Sequence, residues 1–245
     1  MVRRDVWFAS TPGVNVQTVE LQILAGGGIA GPMRELAAQF ERVTGHRLVI
    51  RFGTTPELIK LATGGDPFDL GVTPAEVLKD ADARARFAPG PTTNIARVGL
   101  GVAVRAGARK PDIGTAEALK QALLGAKSVA GIPASAAGAQ MLKAFDTLGI
   151  AEAMQTKLLP QPAPPKVVEA VASGEAELGI FLSNVLIAPG LDLVGPFPAP
   201  LTQDVQFTAA LALEPRQAAV AKAFVDFLTS PESAALIRAR GMVPG

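Results

Sequence analysis

"ILAGGGIAGPMRELAAQFERVTG", Ile23–Gly45, joins an apolar run to a helix-patterned run through a turn almost without side chains. Ahead of the turn, Val19–Leu24 (VELQIL) alternates apolar and polar, as a strand with one buried face does. Behind it, Met33, Leu36, Ala37, Phe40 and Val43 recur at helical spacing, and Gly45 stands where a helix stops. Between them lie Ala25, Gly26, Gly27, Gly28 and Ile29. Glycine there permits a sharp turn and lets something approach the backbone closely. Taken alone, the glycines read as a tight turn; an anion is the candidate for what approaches.

The same unit recurs. Arg47–Phe52 (RLVIRF) alternates, with Leu48, Ile50 and Phe52 on one side and Arg47 and Arg51 outward. Thr55 then suits an N-cap and Pro56 the first helical position. Ala96–Arg105 reads as one long valine-rich strand, and Ser128–Pro133 as a shorter one. The latter feeds a second small-residue turn, Ala134–Gly138, and a helix carrying Met141, Leu142, Phe145 and Leu148. Leu158–Lys166 is proline-rich and reads as an extended loop before a short helix at Val167–Ser173. Glu177–Asn184 and Val205–Leu213 read as strands, Ala218–Leu228 as a helix, and Ser230-Pro231 as the start of another. Strand, turn and helix in alternation imply an α/β fold with mainly parallel sheets.

Composition narrows the function. Of 245 residues, 49% are hydrophobic and 18% charged, enough to bury a sizeable core. The net charge of +1 has no basic stripe, so nucleic acid is not an expected partner. There is no cysteine and no tyrosine, and His46, in a turn-like TGHR, is the single histidine. That leaves few groups for acid–base work and argues against a triad or a metal site; no cofactor is expected. Arg3 and Arg4 imitate the start of a signal peptide, but no apolar segment follows. The chain alone is read as cytoplasmic, or as having lost its signal.

Parallel α/β sheets bind ligands where strands end and helices begin, and a helix N-terminus presents free N–H groups and partial positive charge. Three such starts carry small or hydroxyl residues: Gly27, Gly28 and Ile29; Thr54 and Thr55; Ser135 and Ala136. Converging, they would make a site for an oxyanion or a carboxylate. Gly26, Gly28 and Gly31 also match the dinucleotide-binding G-x-G-x-x-G, but no carboxylate follows in Arg47–Phe52 to take a ribose, which weakens that reading. Arg97 is either a surface arginine or the ligand's counter-ion. Asp69 either caps a helix or faces the cleft, with capping favoured.

The stretches "LQILAGGGIAGPMRELAAQFERVTGHRLVIRFGTTPELIKLATGGDPFDLGV", "IARVGLGVAVRAGA", "AGIPASAAGAQMLKAF", "VASGEAELGIF" and "AKAFVDFLTSPESAALI" together resemble the molybdate-type periplasmic solute-binding proteins. A related branch is the aconitate isomerases. The resemblance implies the two-lobe type II fold, with two crossing strands joining the lobes. Residues 18–98 and 203–245 would form one lobe, 99–202 the other, and 1–17 an extension. It further implies an anion held between the lobes, a periplasmic location, an ABC permease as partner and a monomer. The family's first ligand serine is matched here by Gly26–Gly28, and its late tyrosine by Phe181 or Leu182. Two hydroxyl ligands are thus replaced, which favours a larger carboxylate over molybdate. The alternative is an isomerase of a small tricarboxylate, although no motif marks its base.

Overall fold

The computed structural model describes residues 18–245; the readings of residues 1–17 lie outside them. In chain order the elements are β1 (Glu20–Gly26), a 3-10 turn (Gly27–Ile29), α1 (Ala30–Thr44), β2 (Arg47–Gly53), α2 (Thr55–Thr63) and β3 (Leu70–Pro74). A second 3-10 turn (Ala75–Lys79), α3 (Ala81–Arg84), β4 (Thr93–Val98), β5 (Leu100–Arg105), α4 (Ala116–Gly125) and β6 (Val129–Gly131) follow. Then come α5 (Ala136–Thr147), α6 (Ala151–Gln155), β7 (Leu158–Pro160), α7 (Pro164–Ser173), β8 (Leu178–Leu182) and α8 (Ser183–Leu186). The chain closes with β9 (Leu191–Pro196), β10 (Val205–Leu211), α9 (Ala218–Leu228), α10 (Pro231–Ala239) and β11 (Val243–Pro244).

These strands build two sheets, ordered β11-β4-β10-β3-β1-β2 and β7-β6-β8-β5-β9. The chain leaves the first sheet after Val98 and enters the second at Leu100; it returns between Pro196 and Val205. The single strand expected at Ala96–Arg105 is therefore two strands in different sheets, parted at Gly99. Within the strand–helix units pairing is parallel, β1 with β2 and β3, and β6 with β7 and β8. β4, β10 and β11 pair antiparallel in the first sheet, as β5 does with β8 and β9 in the second. Each sheet is thus mixed rather than mainly parallel, because the strands that cross between sheets arrive without a crossover helix to turn them.

Local patterning explains the layers. In α1, Met33, Leu36, Ala37 and Phe40 are buried at i, i+3, i+4 and i+7. Val43, expected on the same stripe, is 66% exposed in the last turn of the helix. Gly45 ends the helix at φ 71°, its N–H donating to the Glu41 carbonyl. One apolar cluster runs through both sheets; a smaller one, including Leu24, Leu58, Phe68 and Phe87, includes residues of β1 and α2. Leu158–Lys166 is not wholly loop: it contains β7 and the first turn of α7, where Pro164 and Pro165 need no N–H partner.

Candidate functional site

The glycine turn has an unexpected neighbour. A Cβ built on Gly26 would meet Phe207 Cε1 at 2.7 Å, and one on Gly28 would meet Leu182 Cδ1 at 2.4 Å and Phe207 Cζ at 3.1 Å. Phe207 lies on β10 and Leu182 ends β8, so side chains from both sheets close over the turn. What approaches these two glycines most closely is therefore apolar carbon. The sequence could not have shown this, since both partners lie more than 150 residues away.

Beside that contact is a narrow cavity of about 30 Å³. Gly27, Gly28, Thr54, Thr55, Ser135 and Ala136 all line it, drawn from the starts of three helical segments in two lobes. Two other predicted residues do not. Ile29 is buried in the core, 2% exposed. Arg97 pairs with Asp204 at 2.5 Å, and half of its side chain faces solvent. It joins the crossing segments and is not among the residues that line the cavity, in keeping with a surface arginine. Among the described residues no charged side chain and no histidine lines the cavity. Much of its wall is apolar: Pro74, Pro164, Phe181, Leu182, Val205 and Phe207.

The three hydroxyls are held differently. Thr54, not Thr55, is the N-cap of α2, because Glu57 stands three residues beyond it and closes a capping box. The Glu57 carboxylate accepts from the Thr54 N–H at 2.7 Å and from its hydroxyl at 2.8 Å. Ser135 caps α5, accepting from the Gly138 N–H at 2.9 Å and donating to the Ile132 carbonyl at 2.8 Å. Thr55 is thereby free of capping, and its oxygen accepts the Ala136 N–H across the lobes at 3.1 Å. A second bond between lobes runs from Asn184 Nδ2 to the Gly28 carbonyl at 2.9 Å. These two bonds hold the lobes together at the cavity.

Glu57 has a consequence for stability. The backbone N–H of Thr54 first, and its hydroxyl second, hold this carboxyl below its ordinary value of 4.5. The folded state therefore binds the proton less readily than the unfolded one. The contribution is fully present above the unfolded value and is lost as pH falls through the folded one. Urea titrations should find Glu57→Gln less stable than the parent at pH 7, with the gap shrinking below about pH 4. An equal gap at pH 7 and pH 3 would refute the bond's charge-assisted character.

An outer groove of about 570 Å³ adjoins the cavity and shares Gly27, Gly28, Gly53, Thr54 and Pro164 with it. Its other walls include Arg34, Glu35, Glu57, Asn184 and Arg240. Of these, only Glu57 carried a sequence signal, the Thr54-x-x-Glu57 spacing of a capping box. Asp69 lies away from the cavity. Its buried carboxylate accepts from the Gln22 and Gln217 N–H groups, each at 2.9 Å, so it ties β1 to the residue before α9 and is not the cap favoured from the sequence.

Two lobes with a cavity between them and helix starts on its wall are features this chain shares with known proteins. A family model described as "Bacterial extracellular solute-binding protein" matches residues 21–243. The chain belongs to this family. As a solute-binding protein of this type it is 33% identical over 246 residues to the aconitate isomerase of a Pseudomonas species, covering 97% of this chain and 93% of the relative. It is 28% identical over 243 residues to the molybdate-binding protein ModA of Azotobacter vinelandii, covering 92% and 90%. The solved periplasmic molybdate-binding protein of Azotobacter vinelandii superposes with a TM-score of 0.77 at 22% identity, over 91% of this chain and 98% of that one. The two-lobe fold of this solute-binding protein is thus the fold of its relatives.

Proposed function

We propose that this protein binds a small organic carboxylate between its lobes, as the receptor of an ABC importer located outside the cytoplasm. Residues 18–98 and 203–245 act as one lobe, 99–202 as the other, and the ligand is held where they meet. The observation that carries this reading is the convergence of Gly27, Gly28, Thr54, Thr55, Ser135 and Ala136 on one cavity that no carboxylate side chain lines. Helix starts aim partial positive charge at an anion, and the Thr55 hydroxyl, which accepts the Ala136 N–H, keeps its own hydrogen to donate. The apolar wall of Phe181, Leu182, Val205 and Phe207 supports a ligand with a carbon skeleton. A bare oxyanion set against that wall would lose water without gaining hydrogen bonds.

A second reading, an isomerase of a small tricarboxylate, is favoured by the relative named aconitate isomerase. Its difficulty is the base. Glu57, at the groove, is committed to the Thr54 cap, and the bonds that lower its pKa make it a poor proton acceptor. One experiment separates the readings: trans-aconitate and molybdate are added to the protein, and thermal stability and product are both followed. The receptor should be stabilised by about 2.7 kcal/mol at 100 times Kd of trans-aconitate, with no cis-aconitate formed. Steady formation of cis-aconitate supports the isomerase. Failure of every oxyanion and carboxylate tried to stabilise the protein defeats both.

A further inference from the structure

We propose that Arg34 selects for ligands carrying a second carboxylate, distal to the one held in the inner cavity. This deepens the carboxylate reading above and rests on it. The inner cavity is small, without charged walls, and continuous with the outer groove through five shared residues. A ligand longer than a single carboxylate must extend along that groove. Arg34, in α1, lines the groove with its guanidinium carbon 4.8 Å from the centroid of the Phe52 ring on β2.

The groove's other ionised groups are engaged. Arg240 pairs with Glu35 at 2.6 Å, and Glu57 serves the α2 cap. Elsewhere Arg51 pairs with Asp66 at 3.0 Å, and Arg97 with Asp204. Arg34 has no carboxylate partner among the described residues. The Phe52 ring beside the guanidinium leaves the N–H groups in the guanidinium plane without a carboxylate partner among the described residues. A planar fork of donors matches a carboxylate, which it can bind through two parallel hydrogen bonds. A compact tetrahedral oxyanion in the inner cavity has no second group to offer Arg34. The arrangement thus discriminates between polycarboxylates and anions with one charged head.

The test is calorimetric titration of the full chain with trans-aconitate, glutarate, butyrate and molybdate. Arg34→Gln should weaken trans-aconitate and glutarate about tenfold or more, and leave butyrate and molybdate within a factor of two. Arg34→Lys keeps the charge without the fork and should recover only part of the loss. Arg34 is exposed and unpaired by any carboxylate, so both variants should fold as the parent does. Unchanged polycarboxylate affinity in Arg34→Gln overturns the proposal, as does an equal loss for all four anions. A parent that binds only molybdate overturns it while leaving anion binding intact. A parent that binds none of the four removes the carboxylate reading and this inference together.

Discussion

Gly138→Ala is expected to destabilise the protein by about 3 kcal/mol or more. A Cβ at this position would lie 2.0 Å from the Ile132 carbonyl oxygen, and 2.4 Å and 2.6 Å from the Pro133 oxygen and carbonyl carbon. The obstacle is backbone, so no rotamer change relieves it. Gly138 is in the first turn of α5, and its N–H is the one capped by Ser135. Moving the turn outward would break that cap and shift Ala136, whose N–H reaches Thr55 in the other lobe. Equilibrium urea unfolding measures the loss, and anion binding should weaken along with it. A variant within about 0.5 kcal/mol of the parent would show that α5 relaxes freely and that its start is not rigidly placed.

Asp69→Ala should cost about 3 kcal/mol as well. Its carboxylate is 2% exposed and accepts two backbone N–H groups from distant segments, Gln22 in β1 and Gln217 before α9. Hydrogen bonds to a charged group contribute about 1.5–3 kcal/mol each, and here both donors would be left without their acceptor. Asp69→Asn should be milder, because its amide oxygen can still accept one of them. Hydrogen exchange at the two amides gives a local readout: both should lose protection in Asp69→Ala while amides of α5 keep theirs. Retained protection at Gln22 and Gln217 would mean that water or another acceptor takes over the role.

Helix starts were the most legible part of this molecule. Ser135 and Ser230 each accept a backbone N–H three residues ahead, an interaction contained within four consecutive residues. The same locality made α1 readable, and α9 was read with the ends it has. The Thr54/Thr55 choice went astray only because Glu57 was not weighed as the reciprocal partner. Legibility failed where distant contacts decide. β9 was not foreseen, because Leu191–Pro196 is short and ends in Gly-Pro, yet pairing with β5 makes it a strand. Arg97 could not be assigned from its strand, since the acid that neutralises it is 107 residues away.

The alternating strand–turn–helix units, their caps and the small residues at three helix starts were determined by the amino-acid sequence alone, because each depends on side chains within a turn or two of one another. Tertiary structure alone decided that Phe207 and Leu182 pack onto Gly26 and Gly28, that Thr55 meets Ala136, and that Arg34 is left facing a groove without an ion-pair partner among the described residues. The physical reason is that burial and pairing depend on which remote segment arrives, and that depends on the order of strands in the two sheets.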